Sequence, residues 1–363
     1  MKKINFGGIV EKVKNRNFLF IILVGCVALF AILYFWLFGF GLLLGAKEFE
    51  KIINRHAELL TTHFNERAYY GEPQILKWEP FICEGSIQCF SPKIVLGWLD
   101  TPNEAIILQN NSLTLKWLSS TQAKGTLETE FQFQFNENEL SIEEKREISL
   151  IKPLLPKRLS CHFTHSVYGT KSIANSDSTC TLFSDAIMYQ FSVDMDTFSF
   201  AYANAIFENL LGEPNHYADS KMRENIKVAI RSFDIKITSK SLDDAIYNIL
   251  EAAHGSVFTR EIYEKSIDYG ASVASNFLIE SVRKVPIDVS AFVRAVERLK
   301  EGGVSILTAN GRELALFVRL KNHENIPFAN EELLEELQYN LGYRPHSILR
   351  SLIQNYDFKV EYY

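Results

Sequence analysis

Outside its N-terminal tail the sequence has no basic cluster, no low-complexity tract and no recognisable catalytic signature. A net charge of −6 with scattered cations excludes the concentrated positive surface that nucleic acids require. Only ten prolines interrupt 363 residues, of which 47% are hydrophobic and 13% aromatic. That composition argues against extended disorder and supplies ample material for a packed core. The chain contains no G-x-S-x-G elbow, no H-E-x-x-H helix, no phosphate-binding G-x-x-x-x-G-K-[ST] loop and no G-x-G-x-x-G beside a strand. A protein that is not an enzyme, with no cofactor, no bound metal and no nucleic-acid partner, is therefore expected.

What is present begins with an uncharged run from Phe18 to Ala46. It exceeds the roughly 20 residues that a helix needs to cross the hydrocarbon core. It also exceeds the apolar region of a cleavable signal peptide, about 7 to 15 residues, and leucine at −3 makes a poor cleavage site. The run predicts a retained transmembrane helix. Lys2, Lys3, Lys12, Lys14 and Arg16 precede it against the single acid Glu11, whereas Lys47 and Lys51 beyond it are balanced by Glu48 and Glu50. The positive-inside rule then keeps the N-terminus cytoplasmic and exports the rest. Tyr34, Phe35, Trp36, Phe38 and Phe40 crowd the exit half as an interfacial aromatic belt. The expected location is a bacterial inner membrane with a periplasmic C-terminal domain.

Cysteine usage agrees with export. Besides Cys26 in the apolar run, Cys83, Cys89, Cys161 and Cys180 remain, and an even number in an exported domain suggests two disulfides. Three pairings are open. Cys83 with Cys89 and Cys161 with Cys180 are favoured, because each pair falls within one local strand-and-loop unit and short loops close at small entropic cost. The competing reading is a zinc site from Cys161, His162, His165 and Cys180, although zinc sites show tighter paired spacing.

The predicted fold class is α+β: a transmembrane helix followed by an exported part with an antiparallel β-rich first half and strand–helix units in the second. Residues 1–17 form the cytoplasmic tail, 18–46 the spanning helix, 47–67 a helical stalk, 68–152 a β-rich subdomain and 153–363 an α+β subdomain. Strands are expected over Leu76–Cys83, Lys93–Trp98, Ala105–Gln109, Ser112–Leu118 and Lys124–Phe135. In the last, Leu127, Thr129, Phe131, Phe133 and Phe135 alternate with Glu128, Glu130, Gln132 and Gln134, the mark of a sheet with one buried and one wet face. Further on, strands over Ile187–Met195 and Ser232–Thr238 lead into helices at Phe198–Leu211 and Ser241–His254, a weak internal repeat. Ser241 is expected to cap the latter helix and Gly255 to end it. A shorter third version runs from Ile287 into a helix from Ser290 to Glu301. Thr259–Lys284 reads as a helix, and Asn310-Gly311 as the turn of a hairpin over VSILTANGRELALFVRL. Helices near Asn330–Asn340 and His346–Gln354 and a strand Phe358–Tyr362 complete the chain.

The anchor, the amphipathic exported strands and the closing helix, Gly-Gly and strand of VERLKEGGVSILTANGREL together resemble the layout of AsmA-like and YdgA-like envelope proteins. The resemblance implies an inner-membrane protein with an envelope-maintenance or lipid-related role and no recognised catalytic site. The leading functional reading is a non-catalytic structural or interaction protein whose partners are the membrane and other envelope proteins. The alternative is a lipid-handling module with a Phe-rich apolar face at Leu127, Phe131, Phe133 and Phe135. A third reading is an exported hydrolase around His162 and His165, with Ser160, Ser166 and Asp177 nearby.

Overall fold

The structure is a computed structural model that describes residues 45–68, 74–98, 104–119, 122–136, 140–168, 173–198, 227–255, 257–283, 287–321, 350 and 352–363. The expected spanning run ends at the edge of this set, so all but Gly45 and Ala46 lie outside it. Among the described residues no helix is long and apolar enough to cross a membrane. The helix expected near Asn330–Asn340 also lies outside, as does the one expected over Phe198–Leu211, except for Phe198, which ends a strand.

Helix α1 (Ala46–Ala68) precedes strands β1 (Gln74–Trp78), β2 (Ile82–Glu84), β3 (Gln88–Trp98), β4 (Ala105–Ser119) and β5 (Gln122–Gln134). Helix α2 (Ile142–Ile151) and a short 3-10 turn lead to β6 (Arg158–Tyr168), β7 (Ile173–Phe183), β8 (Ile187–Phe198) and β9 (Lys227–Ser239). Helices α3 (Leu242–His254), α4 (Arg260–Arg283) and α5 (Ser290–Leu307) come before β10 (Glu313–Leu320) and β11 (Tyr356–Tyr362). The strands form one antiparallel sheet in the order β1-β3-β4-β5-β6-β7-β8-β9-β10-β11, with β2 paired to β3. The sheet continues from β5 to β6 across the boundary expected at residue 153, so strands on both sides of it share one β-structure.

Alternation explains the sheet. Side chains of a strand point to opposite faces with period two, and here the apolar parity stays in register across every pairing. Cys83 faces Cys89, Cys89 faces Leu113, Leu113 faces Leu127, and Leu127 faces Cys161. The row continues through Cys180, Phe191, Ile235 and Leu316 to Val360. Both disulfides, Cys83–Cys89 and Cys161–Cys180, lie in this row as directly opposed pairs. Where parity fails, a bulge restores it. Leu108 faces Phe131 and Leu113 faces Leu127, because the register slips by one residue between Gln109 and Ser112. Asn110 takes a left-handed conformation at φ 55°. The buried Asn111 donates to Ser91 O at 3.0 Å and accepts from Thr129 Oγ1 at 2.6 Å. The two strands expected on either side of Asn110-Asn111 are thus one bulged strand, while the single strand expected over Leu76–Cys83 is divided into β1 and β2.

Helices cover the two ends of the apolar face. Phe49 and Ile53 of α1 are buried with Cys83, Cys89, Leu113 and Leu115. Polar side chains of α1 hold the nearby backbone: Glu50 Oε2 accepts from Cys83 N at 2.7 Å, Asn54 bonds both backbone groups of Phe81, and Asn65 bonds both of Leu76. The expected stalk is therefore helical but docked, and its Asn65 bonds the edge of β1 at Leu76. At the far end, Leu242 of α3 and Ala295 and Ile306 of α5 are buried over Ile187, Leu314 and Val360. Between these ends Ile106, Phe131, Leu159, Cys161 and Cys180 form a third cluster, every member of which belongs to a strand.

The expected hairpin around Asn310-Gly311 is corrected. Gly302 and Gly303 lie inside α5, and residues 304–307 are helical rather than extended. A Cβ on Gly302 would stand 2.5 Å from Leu314 Cδ1, so this glycine lets the helix lie directly on β10. Ala309 at φ 60° turns the chain, and Asn310 N and Gly311 N donate to Ser305 O at 2.9 and 3.0 Å. The Asn-Gly signal serves a helix end rather than a strand turn. Ser241 occupies the N-cap of α3 but makes no side-chain capping bond, and Ser239 Oγ accepts from Leu242 N at 3.2 Å instead. Gly255 ends α3 at φ 79°, as expected.

Replacing Cys161 and Cys180 together by alanine is expected to lower stability by roughly 2–4 kcal/mol. Urea denaturation measures the loss, and peptide mapping without reductant should recover both bridged pairs from the unaltered protein.

Candidate functional site

The residues of the hydrolase reading are split between the two faces of the sheet. His162 is exposed on the polar face, where Thr126 and Thr179 flank it on the neighbouring strands. His165 has the opposite parity and is 5% exposed on the apolar face, with Nδ1 2.9 Å from Ser176 Oγ. Asp177 and Ser160 share the face of His162, not that of His165. The two histidines therefore do not meet. The zinc reading falls, since Cys161 and Cys180 are bonded to each other. Among the described residues no group of three or more His, Cys, Asp or Glu side chains is placed to hold a metal ion.

Burial pushes the His165 imidazole down to about 4, so it is neutral in the folded protein near neutral pH. On the polar face, burial and then the charges of Asp194 and Asp234 push the Asp177 carboxyl up. Asp196, 1% exposed, accepts from Arg231 Nε at 2.7 Å and from Asn175 Nδ2 at 3.0 Å. The one-residue bulge that displaces Arg231 from the β8–β9 ladder is what frees it for this pair.

Of the apolar residues singled out by sequence, Phe131 is 7% exposed, while Leu127 and Phe133 are half-buried against the strand-only cluster. Phe135 lies just past the end of β5 and is half-buried. Leu96, Leu108, Leu182 and Phe191 are also partly buried against this cluster.

A surface outside the expected set is on α4. Tyr263, Ile279 and Val282 are buried, and α4 packs chiefly on α5. Yet Tyr269, Val273 and Phe277, each four residues apart, are exposed at 72%, 51% and 70%, and Ile262 continues the stripe one turn pair earlier at 44%. A helix with two apolar stripes has one more than its own fold uses. The second stripe was readable from the i, i+4 spacing, but sequence alone does not tell which stripe faces the core.

No protein-family model matches the chain, and no similar curated protein is found.

The His165 environment sets a pH dependence. An ordinary imidazole, as in the unfolded chain, takes a proton below 6.5, whereas the folded one does so only near 4. Stability is therefore intact above 6.5 and is lost as pH falls through that interval, by up to about 1.4 kcal/mol per pH unit. In urea denaturation at pH 7 and pH 5, His165→Gln should lose less stability on acidification than the unaltered protein. Equal losses would refute the assignment.

Proposed function

We propose that this protein is a membrane-anchored, non-catalytic interaction component of a bacterial envelope, with its cytoplasmic N-terminus tethered through Phe18–Ala46 and its sheet domain in the periplasm. The observation that carries the interaction reading is the exposed stripe Ile262, Tyr269, Val273 and Phe277 on α4, since contiguous exposed apolar surface marks association sites. The anchor reading rests on the length of the uncharged run and the charge asymmetry about it. Two buried disulfides suit an oxidising compartment. The resemblance in layout to AsmA-like and YdgA-like envelope proteins points the same way.

A second reading, lipid handling, is favoured by the middle of the apolar face, where the cluster around Phe131 is, among the described residues, built from strand residues. Phospholipid that co-purifies in stoichiometric amount, and is lost in a Phe133→Asp variant with unchanged circular dichroism, would favour this reading over the first. The circular dichroism control matters because a charge buried in a core is costly.

Location is tested by fusion. Alkaline phosphatase joined after Tyr363 should be active, and a cytoplasmic reporter at the same position silent; the reverse pattern overturns the proposed orientation.

The stripe is tested by photocrosslinking in intact cells from Val273 and Phe277 of the full chain. Protein adducts are expected at both positions, and Tyr269→Asp should remove them without altering thermal stability. Adducts that persist in Tyr269→Asp, or are absent from both positions, refute the assignment of partner binding to α4.

A further inference from the structure

We infer that the polar face of β4–β7 is a binding site for a phosphate ester carried on a hydroxylated body, with Lys116 and Lys124 taking the phosphate and Asp177 a hydroxyl group. Lys116 and Lys124 stand directly opposite each other on β4 and β5, and facing like charges destabilise a sheet. Two other cations of this face are matched: Lys236 lies 2.7 Å from Glu313, and Arg319 holds Asp234 with both terminal nitrogens. Neither Lys116 nor Lys124 has an ion pair among the described residues. The repulsion is local and is relieved by an anion placed between the two ammonium groups.

The same cross-strand row continues past the lysines. Thr164 faces Lys124, Asp177 faces Thr164, and Asp194 faces Asp177. Two cations and two carboxylates thus occupy opposite ends of one line with a hydroxyl between them. Strands are spaced about 4.8 Å apart, so Lys124 and Asp177 are on the order of 10 Å apart at their backbones. The surface is dished into a trough of about 530 Å³, lined also by Thr126 and His162, which falls in the size range of small-molecule sites, about 300–1,000 Å³.

The row discriminates among ligands. Inorganic phosphate satisfies the lysines and leaves the carboxylates unused. A lone cation is repelled by the lysines, and a long polyanion by Asp177 and Asp194. A phosphorylated sugar or a glycerophosphate group meets both ends, since its phosphate neutralises the lysines while its hydroxyls donate to Asp177 and pair with the threonines.

The test is calorimetric titration of the full chain in detergent with glucose 6-phosphate, inorganic phosphate and glucose, together with cosedimentation on phosphatidylglycerol vesicles. Glucose 6-phosphate is expected to bind more tightly than phosphate or glucose. Lys124→Ser should weaken it at least about tenfold, about 1.4 kcal/mol, while raising the melting temperature of the ligand-free protein. Asp177→Asn should weaken glucose 6-phosphate and leave inorganic phosphate unchanged, a split that a purely structural role does not produce. Vesicle binding that depends on Lys124, without binding of the free ester, assigns the same chemistry to a lipid headgroup. The proposal is overturned if no phosphate probe binds and vesicle binding is insensitive to Lys124→Ser. It is equally overturned if Lys124→Ser and Lys116→Gln both bind glucose 6-phosphate as the unaltered protein does.

Discussion

Everything else in this molecule depends on keeping one parity of side chains on one side of a sheet across nine successive pairings. A slip of one residue in any ladder would turn its apolar set toward water. The row from Cys83 to Val360 shows how that slip is prevented. Two covalent pairs fix register at β2–β3 and β6–β7, and Asn111 fixes the bulge of β4 by bonding to Ser91 and Thr129. At Gly125 an added Cβ would lie 2.1 Å from the Phe163 ring, so the glycine admits an aromatic from the next strand and leaves β5 no alternative alignment there.

The two faces then divide the labour. The apolar face is spent on folding at both ends, where α1 and the α3–α5 group cover it. Among the described residues, the cluster in its middle is made of strand side chains. The polar face carries arranged charge, with acids around Asp177 and Asp196 and, on β4 and β5, two lysines that have no ion pair among the described residues. Helix α4 adds an apolar surface that is separated from the sheet by α5.

Local patterning made much of the fold legible. The strand expected over Lys124–Phe135 matches β5 within two residues at its start and one at its end, and the apolar spacing placed α3 and α4 within one residue at each end. Cysteine pairing was legible because both bridges join neighbouring strands. What failed were signals with two physical uses. Asn-Gly supports a hairpin turn and a helix end equally well, and a close helix–strand approach selected the latter through Gly302. Asn110-Asn111 reads as a strand break when its surroundings make it a bulge. The trough was hidden for a different reason: Lys116, Lys124 and Asp177 lie far apart in sequence, and only the register of three hairpins aligns them.

The order of the strands carries a consequence for biogenesis. From β3 to β11 each strand pairs with its immediate predecessor in the chain, so every newly made strand finds its template already laid down. Most of these pairings join strands close in sequence, the longest connection being β9 to β10 across α3–α5, and pairings between near segments avoid part of the slow search that long-range pairing imposes. A chain that must leave its site of synthesis extended and fold afterwards, from one end to the other, gains most from such an order.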